Sequence, residues 1–200
     1  LGGWLTVNDG TGTFFARNLT NAADGNIVAA VTTLQAAVTS WVTGDNISDS
    51  TGFTGTLTSA NINSLRFNAA SGSDLTLSST GVLGITSGGI LVTDNVAGTP
   101  SLVNGTLFSG AVASNVPELI FIQDSSQTFE LGADVRINHA LTKSGTGTLR
   151  LTGNNVFTGY TEIQEGVLEV AGGNAIGDNS IVTLSASRDS TLRLLSNETI

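Results

Sequence analysis

Four short segments of this chain share one pattern at nearly regular intervals. Thr128-Phe129-Glu130-Leu131, Thr148-Leu149-Arg150-Leu151, Val167-Leu168-Glu169-Val170 and Thr191-Leu192-Arg193-Leu194 each place apolar residues second and fourth and a charge third. Their starts lie 20, 19 and 24 residues apart. Alternation at period two marks a strand with one buried face. Recurrence at a fixed interval marks a repeat architecture, where short strands alone would equally fit a sandwich or a barrel. At roughly 3.3 Å per strand residue, about 20 residues can close a coil of three short strands and three corners. The expected fold is therefore all-β, a parallel β-helix (β-solenoid) with about 20-residue coils. In that register Glu130, Arg150, Glu169 and Arg193 form one outward ladder of alternating sign, which avoids stacking like charges and opposes a slip by one residue.

Composition agrees with many short strands and tight corners. Thr and Val recur throughout, and β-branched side chains favour pleated strands. The 25 glycines suit corners, because glycine tolerates positive φ. With no cysteine there is neither a disulfide framework nor a thiolate metal site. A net charge of −9, with one lysine and one histidine, makes the chain a poor match for nucleic acid. No apolar run approaches the roughly 20 residues of a membrane span. The chain opens Leu1-Gly2-Gly3-Trp4 without an initiator methionine or signal peptide, so it is expected to be processed or a fragment.

Shorter alternating segments begin near Ser64: Ser64-Leu65-Arg66-Phe67, Asp74-Leu75-Thr76-Leu77, Val82-Leu83-Gly84-Ile85, Ile90-Leu91-Val92-Thr93 and Leu119-Ile120-Phe121-Ile122. The expected organisation is an irregular or capping segment over 1–63, with early coils or a short helix as variants, and a parallel β-helix over 64–200 that stops in mid-repeat. Ile27, Val31, Leu34, Val38 and Trp41 follow helical spacing with Asp24 as a cap. The wealth of Val and Thr over 25–42 instead favours strand or irregular structure there. Thr99-Pro100 and Val116-Pro117 read as corners, where a missing N–H is tolerated.

The run Leu141-Thr142-Lys143-Ser144-Gly145-Thr146-Gly147-Thr148-Leu149-Arg150-Leu151-Thr152-Gly153-Asn154-Asn155-Val156-Phe157-Thr158-Gly159, continuing through Thr161 and Ile163 to Gly166-Val167-Leu168-Glu169-Val170, resembles the autotransporter-associated β-strand repeat. Tyr160 stands where glycine is common in that repeat, and Glu165 where a small residue is usual. The resemblance implies a right-handed parallel β-helix of passenger type in a large exported protein at the bacterial cell surface. It covers about 30 residues specifically and extends more loosely toward Ser64 and Ile200. Gly145, Gly147, Gly153, Gly159 and Gly166 fit corners that need unusual φ or close coil stacking. Asn154-Asn155 fits a turn whose amides bond to neighbouring coils. Lys143 is expected as an exposed residue just before a corner.

Catalysis finds little support. A glycosidase needs carboxylates converging on one sugar, and Asp94, Glu118, Asp124 and Asp134 are isolated in sequence. A lyase needs a cation site with a basic residue, and the seven basic residues are spread singly. His139 has no histidine companion and reads as a strand-end surface residue. The expectation is no enzyme, with no catalytic, cofactor or metal site. Weak calcium binding is conceivable only at acidic corners: Asp9, Asp45-Asn46 and Asp178-Asn179. The first functional expectation is a structural segment of stalk, fibre or surface layer, its copies associating end to end or laterally. The alternative is an adhesin passenger that binds host or surface-glycan ligands through loops, with residues 1–63 and the stretch from Ala111 to Glu118 as candidates.

Overall fold

The computed structural model describes residues 6–8, 13–18, 27–29, 33–34, 37–49, 51–109, 118–137, 140–157, 159–177 and 180–196. His139, Asp9, Asp178, Asn179, Asp24, the Val116-Pro117 corner and residues 110–117 lie outside them. Three ladders of parallel strands form the sides of a β-solenoid. The first ladder joins Thr33–Leu34, Asn46–Ser48, the ends of Thr56–Phe67 and Asp74–Val92, then Glu118–Gln123, Ala140–Ser144, Thr161–Ile163 and Val182–Leu184. The second runs from the starts of Thr56–Phe67 and Asp74–Val92 through Ser101–Ser109, Phe129–Ile137, Thr148–Leu151 and Gly166–Val170 to Ser190–Leu194. The third uses the middle of the longer strands and ends on Val156–Phe157.

Coil length varies more than the repeat alone suggests. Along the first ladder Ile47 pairs with Leu65, Leu65 with Ile90, Ile90 with Phe121, Phe121 with Lys143 and Lys143 with Ile163. These steps are 18, 25, 31, 22 and 20 residues, averaging somewhat above 20. The surplus goes into bulges and corners. Thr76 faces Val103 and Val82 faces Thr106, so residues 77–81 lie opposite only 104–105. Parallel coils begin ahead of Ser64, at Thr33–Leu34. The described part of 25–42 holds strands Ile27–Ala29 and Thr33–Leu34, an isolated parallel bridge from Ala37 to Thr54, one 3-10 turn, Val38–Ser40, and irregular Trp41 and Val42. Thr6–Asn8, Thr13–Asn18 and Ile27–Ala29 pair antiparallel with one another.

The core follows from alternation. Leu75, Leu102, Leu131, Leu151 and Val170 stack in register on the second ladder and are fully buried. Leu83, Leu107 and Val135 do the same on the third. Side chains equivalent in successive coils fall about 4.8 Å apart, so each core position becomes a column. Aromatic rings tie the columns across the interior. Trp41, Phe53, Phe67, Phe129 and Phe121 meet edge to face in sequence, with centroids 5.4, 5.2, 4.9 and 4.8 Å apart, in the T-shaped range that aromatic quadrupoles favour.

Candidate functional site

The outward charges form the ladder that their spacing predicts. Glu130 pairs with Arg150, Arg150 with Glu169 and Glu169 with Arg193. The column extends backwards through Ser101 to Asp74, and the Ser101 hydroxyl donates to Asp74 at 2.6 Å. Glu169 is its electrostatic centre: Arg150 Nε donates to one carboxylate oxygen at 2.8 Å and Arg193 Nη1 to the other at 2.5 Å. Glu169 is only 4% exposed while both arginines reach solvent. Screening keeps each pair near the ~0–1 kcal/mol of a surface ion pair, so the column selects register more than it stabilises.

Lys143 overturns its expectation. It is fully buried rather than exposed, occupying the core column of the first ladder between Phe121 and Ile163. Alternation explains this: Leu141 faces inward, and the residue two positions on faces the same way. The stem packs as an apolar side chain, and the ammonium reaches the corner beyond its own strand. There Nζ donates to the carbonyls of Ser144 at 2.8 Å, Gly145 at 2.7 Å and, in the next coil, Glu165 at 3.0 Å. Burial pushes the amine down to about 8, against the attraction of Asp124 and Glu165. The group is thus a corner clamp that joins two coils.

Neighbouring coils bring two of the four isolated carboxylates together at this corner. Asp124 is held above its ordinary range by burial, opposed by Lys143 and reinforced by the nearby charges of Asp94 and Glu165. Glu165 also binds Arg188 at 3.0 Å. Asp134 lies elsewhere, accepting the Asn154 N–H and pairing with Arg136. Glu118 sits on the outer face of the first ladder, where it accepts the Thr142 hydroxyl. Among the described residues, no group of three or more His, Cys, Asp or Glu side chains is placed to hold a metal ion.

Corner chemistry accounts for the repeat's small and amide residues. Gly145 has φ +78°, and a Cβ there would lie 2.5 Å from both the Gln123 carbonyl and an Asp124 oxygen. Gly166 has φ +74° and the same crowding against the Gly145 and Gly147 carbonyls. Asn155 is buried, and its amide spans three coils by accepting the Val135 N–H at 2.8 Å and donating to the Ala175 carbonyl at 2.7 Å. Its partners are therefore backbone groups. Two polar anchors carried no sequence signal. Gln123 is buried and donates to the carbonyls of Gln127 and Thr148. Asp49, raised by burial, accepts the N–H groups of Asn68 and Ala69.

A three-sided parallel solenoid with in-register outer columns and glycine-packed corners defines the class: a β-helical repeat segment. Residues 141–170 match the passenger-associated-transport-repeat family, so this stretch is a β-helix repeat of the autotransporter-passenger type. The chain is similar to the adhesin BmaC autotransporter of Brucella suis biovar 1 (strain 1330), at 31% identity over 183 residues. The match takes in 85% of this chain and 5% of that protein, so the chain spans about one twentieth of its curated relative's length. No solved structure matches the chain.

Proposed function

We propose that this segment is a rigid, non-catalytic spacer within the exported passenger, carrying neighbouring parts of the protein away from the cell surface. The observation behind this reading is the in-register outer column from Asp74 to Arg193, in which Ser101 bonds Asp74 and Glu169 bonds both Arg150 and Arg193 between coils. Acidic groups elsewhere are spent on structure: Asp49 on backbone N–H groups, Asp134 on Asn154 and Arg136, Glu165 on Arg188. The segment needs no cofactor, its acidic corners bind calcium at most weakly, and copies associate end to end through strand edges. Small-angle scattering and negative-stain imaging test the spacer. Rod-like particles that lengthen by about 4.8 Å per added coil are expected, and compact isotropic particles would refute it. A polysaccharide screen that releases product would refute the absence of catalysis.

A second reading, adhesion, has its own support: the similar Brucella protein is named an adhesin. On this reading the solenoid presents a side surface to a host ligand. Binding of the 200-residue chain to host cells, compared with a solenoid of unrelated sequence, tests it.

A further inference from the structure

Two strand edges of the last rung have no partner among the described residues. Val182–Leu184 ends the first ladder and Ser190–Leu194 the second, each paired on one side alone. Backbone hydrogen bonds show which groups face out. Ser185 N–H donates to the Ile163 carbonyl and Leu195 N–H to the Val170 carbonyl, both in the coil before. Alternation then turns the N–H and C=O groups of Val182, Leu184, Leu192 and Leu194 toward the open side. The core columns stop at the same rung. Ile163 and Val170 are fully buried, whereas Leu184 and Leu194, next in their columns, are 49% and 53% exposed. Charge is unfinished there too. Arg150 stands in register between Glu130 and Glu169, while Arg193 has a carboxylate on one side, and that one it shares with Arg150.

We infer that this rung docks a parallel coil of the chain's own repeat type, whose second-ladder strand reads apolar, acidic, apolar. The inference rests on the strand-edge association proposed above and names the edge and the chemistry it selects. Unpaired edge groups supply the hydrogen bonds for an added strand. Apolar residues opposite Leu192 and Leu194 continue the core columns, and a slip by one residue would set a charge against the core instead. An acid opposite Arg193 gives this guanidinium the second in-register carboxylate that Arg150 already has. An exposed ion pair changes affinity by only about fivefold, so the charge chooses among strands that the apolar columns hold. The N-terminal edge of a second copy is a poorer match. Its described strand, Thr33–Leu34, is two residues long and carries no acid, so a second copy joins here more weakly than a repeat-type coil.

The probe is a fluorescein-labelled peptide of residues 161–170, which carries Ile163, Leu168, Glu169 and Val170, titrated onto the whole 200-residue chain by anisotropy. Binding with a Kd of about 1 mM or tighter is expected, with slowed hydrogen exchange at the amides of Leu192 and Leu194. The chain's net charge of −9 opposes this acidic peptide, so bulk attraction does not explain its binding. A Glu169→Arg peptide should bind the parent chain about fivefold more weakly, and Arg193→Glu should reverse that preference. Arg136→Glu, the same charge change on the third ladder, should leave the preference as it is. Leu194→Asp should weaken binding at least about tenfold. Leu194 and Arg193 are both half exposed; circular dichroism reports folding, and if Leu194→Asp misfolds, the charge swap decides. The inference is overturned if the peptide does not bind, if folded Leu194→Asp binds it as well as the parent, or if the swap leaves the preference unchanged. Sedimentation supplies the other arm. Self-association that Leu194→Asp abolishes, without peptide binding, gives this edge to a second copy, keeping the strand-edge reading and rejecting the repeat-type partner. Peptide binding without self-association does the reverse.

Discussion

Replacing Lys143 with methionine separates the two costs that meet at its corner. The side chain is fully buried, and its ammonium serves three backbone carbonyls at 2.7–3.0 Å. The drop from an ordinary 10.5 to about 8 means that keeping this amine charged costs the fold about 3 kcal/mol. Methionine has a similar unbranched shape and removes that cost. It also leaves the buried Gly145 carbonyl without a donor, worth ~1–3 kcal/mol, and weakens the two half-buried ones by less. The terms nearly cancel, so Lys143→Met should lie within about 1–2 kcal/mol of the parent at pH 7. Alkaline pH then breaks the balance. Below about pH 8 the folded and unfolded chains both hold this proton, and stability does not change through it. Between about 8 and 10.5 the unfolded chain holds more protons, so the parent gains stability as pH rises, up to about 3 kcal/mol.

Lys143 is the single lysine, and the methionine variant supplies the baseline for every other group. Thermal melts followed by far-UV circular dichroism at pH 7, 8, 9 and 10.5 read the effect directly. For a chain of this size ~2–4 °C accompanies each kcal/mol, so the parent's Tm minus the variant's should rise by about 6–12 °C across the alkaline range. A difference that stays constant or falls as pH rises would refute the placement of the amine in the core column.

Three further outcomes are expected. Glu169→Gln should cost about 1 kcal/mol in urea denaturation, and the loss should shrink in 1 M salt, because both arginine partners are solvent-exposed. Asn155→Ala should cost about 2–4 kcal/mol by stranding the Val135 N–H and the Ala175 carbonyl, with Asn155→Asp intermediate since it can still accept. Phe129→Ala should be the most damaging, about 3–5 kcal/mol, since this ring touches both Phe67 and Phe121; a loss under about 1 kcal/mol would show that the aromatic file is not a packed unit.

The second ladder is the most legible part of the fold. Its strands carry an apolar-charged-apolar motif at steps close to one coil, so spacing alone pairs Glu130, Arg150, Glu169 and Arg193 with one another. The earlier coils hide the same column because Ser73 and Pro100 stand where the motif has Phe129. At Lys143 charge and parity give opposite answers: Leu141 and Lys143 are two residues apart, and a strand sends both to one face. The length of its stem, enough to carry the charge past the core to a corner, is what makes parity win. The aromatic file is hidden for another reason. Phe53, Phe67, Phe121 and Phe129 meet only after coils of unequal length have been wound, and unequal lengths leave no period to detect.

That inequality of coil length makes residue number a poor measure of position along the molecule. From Ile47 to Phe121 the chain takes 74 residues to climb three rungs of the first ladder, and from Phe121 to Leu184 it climbs three more in 63. Both stretches gain about 14 Å of height. Height is counted in coils, so sequence inserted at a bulge such as 77–81 widens the silhouette without lengthening the shaft. Selection can then decorate the flank of such a molecule freely while its reach stays constant.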